Sequence, residues 1–270
     1  MSVRLEVPVR PGVSFVHDPS PGTGKTRDMA KGLFLCCAGR VCAGSSAGFG
    51  LPVMKMRRRT CFPSLDSVAL QGTEGIVKEF TLDRTLAWTI HGRRTPSWFG
   101  PALEMLVEVF MGLPRLQQPL LRARALAFGL FALRSSMVRS SSHGRCSVTY
   151  VPAGDGLKIT AQWDAPHLDG SLFIMNEVDG RTFNRIRTGR VVLEDRMIPA
   201  WFSVPFEAVL ESQELGVGVS IKPQTRGDDL QSGLFCGREV SADLDWAGLA
   251  VPCRSPAFSY HVSVREGKRG

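Results

Sequence analysis

Apolar and polar residues alternate from the start of the chain. In VRLEVPV (3–9) one kind of side chain falls on every second position, the period of a half-buried strand. Leu33–Cys37 and Val41–Ala43 flank Ala38-Gly39-Arg40 and predict a short hairpin. Apolar-rich pieces at Leu51–Met56, Gly75–Leu82 and Leu86–His91 follow, separated by Gly, Pro and Asp. The same pattern resumes after residue 144. Arg145–Val151 and Leu157–Trp163 flank AGDG, a hairpin signal, and five more strands are predicted at Ser171–Asn176, Arg190–Glu194, Val217–Lys222, Ser241–Trp246 and Phe258–Arg265.

Between these two regions the period changes. PSWFGPALEMLVEVFMGLP has a helix start at Pro101 and a stop at Gly112, with Pro114 beyond it. A second helix is predicted from about Pro119 to about Arg139, and SSSHG (140–144) ends it. Strands, a helical pair and strands again leave no β–α alternation, which argues against a doubly wound parallel sheet. The expected fold is mainly β: a large antiparallel β-sandwich, a single domain over 1–270 with a helical insertion at about 100–140. Two β domains joined by the helices is the alternative.

Composition adds limits. With 43% hydrophobic and 21% charged residues the chain can bury an ordinary core. Its 33 basic and 25 acidic residues give a net charge of +8, which favours anionic partners without specifying chemistry. MSVRLEVPVRPG has no apolar signal-peptide core, and the apolar run at Ala125–Leu133 falls far short of the ~20 residues that span a bilayer. Seven cysteines, an odd count, suit reduced thiols. These features together predict a cytoplasmic protein that does not span a membrane.

The stretch PSPGTGKT (19–26) approaches a phosphate-binding loop, with Gly22, Gly24, Lys25 and Thr26 as its candidate nucleotide ligands. Pro19 stands where the first Gly belongs, and only TRDMAK separates Lys25 from Gly32, too little for the helix that such a loop needs. A metal-binding carboxylate is also missing: LFIMNEVD (172–179) has Asn176 at that position, and VVLED (191–195) is short. A polar turn leading into the hairpin is the expected structure. GSSAG (44–48) matches the G-x-S-x-G elbow at Ser46, but Gly50 and Pro52 leave no room for the helix that follows a true elbow.

Cys36, Cys37, Cys42 and Cys61 cluster without a C-x-x-C pair, so no metal site is predicted. Cys36 or Cys37 is expected to face Cys42 across the hairpin, as buried thiols or as a redox pair. No cofactor is clearly implied.

Two basic features remain. Arg185 and Arg187 in RTFNRIRTGR (181–190) project from one face of a strand, a cationic pair suited to carboxylate or phosphate. Trp163 as a stacking platform, with His167 and Glu177 as acid–base candidates, would make a site for a carbohydrate or a small anion, bound or processed. Arg115, Arg122, Arg124, Arg134 and Arg139 accompany the second helix without any acidic residue. They suggest a non-catalytic protein that meets another chain or an anionic surface. Stacking aromatics are too sparse near these charges for a clear nucleic-acid signal.

Gly237-Arg238-Glu239 and Trp246-Ala247-Gly248, lying shortly before the strand SYHVSV (259–264) and accompanied by FGLPV (49–53), carry a resemblance. The chain resembles an uncharacterised group of prokaryotic β-rich proteins with a G-R-E and then W-A-G pattern. That resemblance implies a β-rich fold and brings no activity to any residue. Arg238 and Glu239 are expected to form a polar pair between strands, and Trp246 to anchor the core.

Overall fold

Alternation becomes strand along most of the chain, and the strands pair antiparallel. The computed structural model describes residues 5–18, 30–56, 59–72, 75–100, 102–103, 105–106, 119, 123, 126, 129–132, 134–164, 170–189, 191–199, 202–204, 207–223, 234–240, 245–253 and 255–266. A small sheet holds β1 (Leu5–Arg10), β2 (Val13–His17), β3 (Phe34–Cys37) and β4 (Arg40–Val41) in sequence order. The strands of the large sheet are β5 (Phe49–Met56), β6 (Arg59–Gln71), β7 (Gly75–Ile90), β8 (Arg93–Arg94), β9 (Arg134–Arg139), β10 (Arg145–Ala153), β11 (Gly156–Asp164), β12 (Gly170–Val178), β13 (Arg185–Thr188), β14 (Val191–Glu194), β15 (Phe202–Val204), β16 (Ala208–Ser212), β17 (Val217–Pro223), β18 (Leu234–Val240), β19 (Asp245–Cys253) and β20 (Ala257–Glu266). Their spatial order is β14-β13-β16-β17-β20-β11-β10-β7-β6-β5-β12-β19-β18-β15, with β8 and β9 added along β7.

Register turns the period-two pattern into a core. Ile76, Tyr150, Ile159 and Tyr260 are successive partners across β7, β10, β11 and β20, and all four are fully buried. The sheet curls far enough to bring distant strands together: the Tyr150 hydroxyl on β10 lies 3.1 Å from the carbonyl oxygens of both Phe49 and Gly50 on β5. Val7, Phe15 and Leu35 of the small sheet join the same apolar cluster, and the Phe15 and Phe49 rings meet edge to face at 5.1 Å.

The helical pair expected at about 100–140 is not supported. Arg134–Arg139, assigned to the end of the second helix, is strand β9, paired with β7 from Arg84↔Arg139 to Thr89↔Arg134. RSSMVR is poor helix material, because serine competes for backbone hydrogen bonds and Val138 is β-branched, and the long edge of β7 offers a ladder instead. Between residues 99 and 130 the described residues with helical backbone are scattered and delimit no helix.

What stands in place of a helical packing unit is an arm. β7 continues beyond the end of its β10 pairing to Ile90, flanked there by β9 and by β8, which returns through His91-Gly92. Residues 95–133 connect β8 to β9. Both ends of that insertion are tied to the arm: Thr95 N–H donates to the Trp88 carbonyl at 2.9 Å, and His91 N–H donates to the Phe131 carbonyl at 3.2 Å. Among the described residues no helix is long and apolar enough to cross a membrane.

Candidate functional site

Glu177, the acid–base candidate, lies on β12 under the CAGSSAG loop (42–48). Its Oε2 accepts the Ala47 N–H at 2.6 Å, and its own N–H donates to the Gly48 carbonyl. Burial raises its pKa, while the Ala47 N–H and the Lys31 charge act against that rise. Lys31 donates to the Ser46 carbonyl at 3.2 Å, and burial lowers its pKa to about 8. Deeper still, Lys78 is fully buried, donates to the carbonyls of Lys31 and Gly32 at 3.0 and 2.7 Å, and is lowered by burial to about 7. A neutral amine has two N–H groups, and these two carbonyls use both. The Ser46 hydroxyl is buried with no hydrogen-bond partner among the described residues. Neither the 600 Å³ cavity along β1 and β2 nor the 130 Å³ cavity on the arm touches Glu177, Lys31 or Ser46. The geometry of Glu177 is that of a carboxylate fastening a loop to a strand.

The same loop is fastened again at its other side. Ser45 N–H donates to the Asp245 carbonyl, and Arg181 N–H is shared between the carboxylates of Asp179 and Asp245 at 2.8 and 3.0 Å. Burial and then the Asp179 charge push Asp245 up; burial also works against Asp179, but hydrogen bonds from Thr182 and Arg181 outweigh it and hold that carboxyl low. Arg238 closes this region, donating to the Gly180 carbonyl at 2.7 Å and pairing with Asp195 at 3.1 Å. Its partner is therefore Asp195, and not the neighbouring Glu239 expected from the sequence. Trp246 is only partly buried, so the anchoring role expected of it belongs more to Leu249 and Val251 on the same strand.

Among the described sugar or anion candidates, Arg185 and Arg187 lie on a different part of the sheet from Trp163. Arg185 and Arg187 share a face of β13, but Glu211 on β16 sits between them, 3.5 Å from Arg185 Nε and 2.8 Å from Arg187 Nε, and Glu194 lies 3.1 Å from Arg185. Trp163 is separated from them by β16, β17 and β20, and it continues the buried series Leu157, Ile159, Ala161 on β11. His167 and the four loop residues Gly22, Gly24, Lys25 and Thr26 lie outside the described residues. Cys37, not Cys36, meets Cys42: a hydrogen bond from the Cys42 thiol lowers the Cys37 pKa, burial opposes this, and Arg10 assists it. Cys36 points away into a separate cluster with Val16 and Phe34. Both members of the thiol pair are buried. Among the described residues no group of three or more His, Cys, Asp or Glu is placed to hold a metal ion.

The arm presents a different kind of surface. Trp98, Met105, Leu106, Leu126, Leu130 and Phe131 of the insertion are 49–73% exposed. Pro119, Ala123, Leu126 and Leu130 are all exposed, at intervals of four, three and four residues. Isolated exposed apolar residues are ordinary, but a run of large ones within one insertion is not. From residue 109 to 154 the chain carries six arginines and no Asp or Glu. On the arm itself Arg139 is 81% exposed at its side chain and leans on buried Asp83 at 3.1 Å, while Arg93 and Arg94 are exposed on β8. Five of these arginines, without an acid among them, were legible in the sequence; the exposure of the apolar residues of the insertion was not, since apolar residues at helical spacing more often face a core.

No protein-family model matches the chain, and no curated protein matches it.

Proposed function

We propose that this is a non-catalytic docking protein that lays the insertion at residues 95–133 on an anionic membrane surface. The observation that carries this reading is the exposure of Trp98, Met105, Leu106, Leu126, Leu130 and Phe131 between basic flanks: from residue 93 to 145 the chain carries eight arginines against two glutamates. Interfacial segments combine these two properties: aromatic and aliphatic side chains enter the boundary between headgroups and acyl chains, and arginines stay at the level of the anionic headgroups. Each basic residue close to such a surface contributes about 1 kcal/mol, so several of them supply the attraction that a few inserted side chains alone do not. The insertion peripherally contacts the bilayer and does not span it. The free thiols suit the cytoplasmic leaflet, which is also the anionic one.

Vesicle co-sedimentation tests this. The full chain is mixed with phosphatidylcholine vesicles and with vesicles containing phosphatidylglycerol, at low and at physiological salt. The expected result is sedimentation with the anionic vesicles, weakened by salt and absent with pure phosphatidylcholine. Equal recovery in the supernatant with both compositions overturns the reading and leaves an apolar-lined acidic protein partner as the next occupant to test.

A further inference from the structure

A cavity of about 130 Å³ opens at the root of the insertion, lined by Thr85–Trp88 of β7 and by the chain from Arg94 to Ser97. Arg59, at the start of β6, and Arg94, on β8, line it together with Trp88, Thr95 and Ser97 among others. Neither arginine has an ion-pair partner among the described residues, in contrast to Arg185 and Arg187, which share Glu211. Thr95 already donates its hydroxyl to the Trp88 carbonyl at 3.0 Å, which fixes the wall and aligns the segment that carries Ser97. The volume is well below the ~300 Å³ at which pockets begin to take drug-sized ligands. It suits one compact group. Two arginines and a serine lining so small a cavity suit an oxyanion, and phosphate matches the planar donors of a guanidinium best.

The geometry points to a phosphate-binding pocket formed by Arg59, Arg94 and Ser97. Its ligand is the phosphate of a lipid headgroup, held while the neighbouring apolar side chains enter the bilayer. This rests on the docking reading given above, because the pocket sits where the insertion leaves the arm. A free phosphomonoester offers the same oxyanion from solution, and the experiment separates the two sources. The arginines act here by holding a ligand, and no bond is made or broken.

The test compares vesicles of equal surface charge, one set containing phosphatidic acid and the other oleate, whose negative charge is a carboxylate. The wild-type chain is expected to partition about tenfold more strongly into the phosphatidic acid vesicles, the ratio that ~1.4 kcal/mol of added headgroup binding produces. In R59Q/R94Q that preference disappears, while binding to both vesicle types persists through the apolar residues and the remaining arginines. Equal partition of the wild type into both sets overturns the pocket and leaves the docking reading standing. A preference that survives R59Q/R94Q also overturns it. Should no vesicle bind at all, the docking reading fails, and titration with glycerol 3-phosphate decides the pocket by itself: binding lost in R59Q/R94Q keeps it as a site for a soluble phosphomonoester, and no binding removes it.

Discussion

Tyr260 on β20 donates its hydroxyl to Asn176 Oδ1 on β12 at 2.6 Å, although β11, β10, β7, β6 and β5 lie between those strands in the sheet. Both residues are fully buried. Asn176 Oδ1 also accepts the Gly50 N–H at 3.2 Å, and its amide nitrogen donates to the carbonyls of Ile174 and Leu249 at 3.1 and 3.4 Å. The side chain sits where β12 and β5 slip out of register, between Met175 and Asn176. An amide with both ends satisfied repairs the backbone groups that the slip strands, and its oxygen then fixes how tightly the sheet curls.

Removing either end of this bond should expose that role. Y260F deletes one donor to a buried oxygen that keeps the Gly50 N–H, and about 1–2 kcal/mol of stability is expected to go. N176L strands the Gly50 N–H and the Tyr260 hydroxyl together and should cost roughly twice as much. Urea unfolding of the two single variants and the double variant measures the coupling. Strictly additive losses would show that the two side chains do not act on each other.

Gly50 gives a second test, close to the first. Its φ is +79°, and a Cβ there would meet the Tyr150 ring at 2.6 Å. Gly72 has a similar φ of +64°, with nothing within 4 Å of an added Cβ. G72A therefore reports the backbone penalty alone, about 1 kcal/mol, whereas G50A adds a clash with a fully buried aromatic and should cost roughly 3 kcal/mol or more. Thermal melts of both variants compare them directly. Equal shifts in melting temperature would mean that the Tyr150 ring moves aside freely.

The strands were readable because their alternation is strong: Cys146, Val148 and Tyr150, and then Leu157, Ile159, Ala161 and Trp163, all face inward. The second series also held the answer about Trp163, whose place in the buried phase marks it as core. The G-R-E and W-A-G segments are cross-strand partners, Gly237↔Gly248, Arg238↔Ala247 and Glu239↔Trp246, so that pattern records a strand pairing. A Cβ at Gly248 would come within 2.6 Å of the Glu177 side chain, which accounts for the glycine. Helix is expected as far as Arg139 by extending the Leu-, Ala-, Phe- and Arg-rich run before it up to SSSHG, whereas the free edge of β7 that takes Arg134–Arg139 is a tertiary fact. The neutralisation of Arg185 and Arg187 was likewise hidden, since Glu211 reaches them through a pairing of β13 with β16 that spacing does not reveal.

Buried lysine makes stability depend on pH. The Lys78 pKa falls from 10.5 to about 7 in the fold, so between those values the unfolded chain binds more protons than the native one. Stability then rises with pH from about 7 to above 10, and below 7 the full burden of burying the charge is present. Lys31, lowered to about 8, adds to the upper part of that window, and His17, lowered to about 4 by burial and then by the Lys78 charge, adds a separate rise between about 4 and 6.5. K78M removes the Lys78 contribution, leaves that of Lys31, and relieves His17 of the Lys78 charge, an effect that falls mostly below the range compared. The wild type should gain on K78M by up to roughly 4–5 kcal/mol from pH 6 to pH 10.5, at ~1.4 kcal/mol per pH unit. Urea midpoints for both proteins across that range measure it, and parallel curves would show that Lys78 titrates normally.

Exposure separates the docking surface from the core energetically. Leu126 and Leu130 are 66% and 73% exposed, so L126S/L130S removes little buried apolar area and should change folding stability by no more than about 0.5 kcal/mol per site. On a bilayer the same two side chains leave water. Burying a leucine is worth up to ~2 kcal/mol, so even partial insertion of two predicts a loss of tenfold or more in partition to phosphatidylglycerol vesicles. Leu70, 63% exposed at the far end of β6, is the control, since L70S removes a similar side chain that is not on the insertion. A matched fall in L70S and L126S/L130S would assign the effect to general surface hydrophobicity. A fall confined to the insertion, with melting temperatures unchanged in all three proteins, places the membrane contact at the end of the arm.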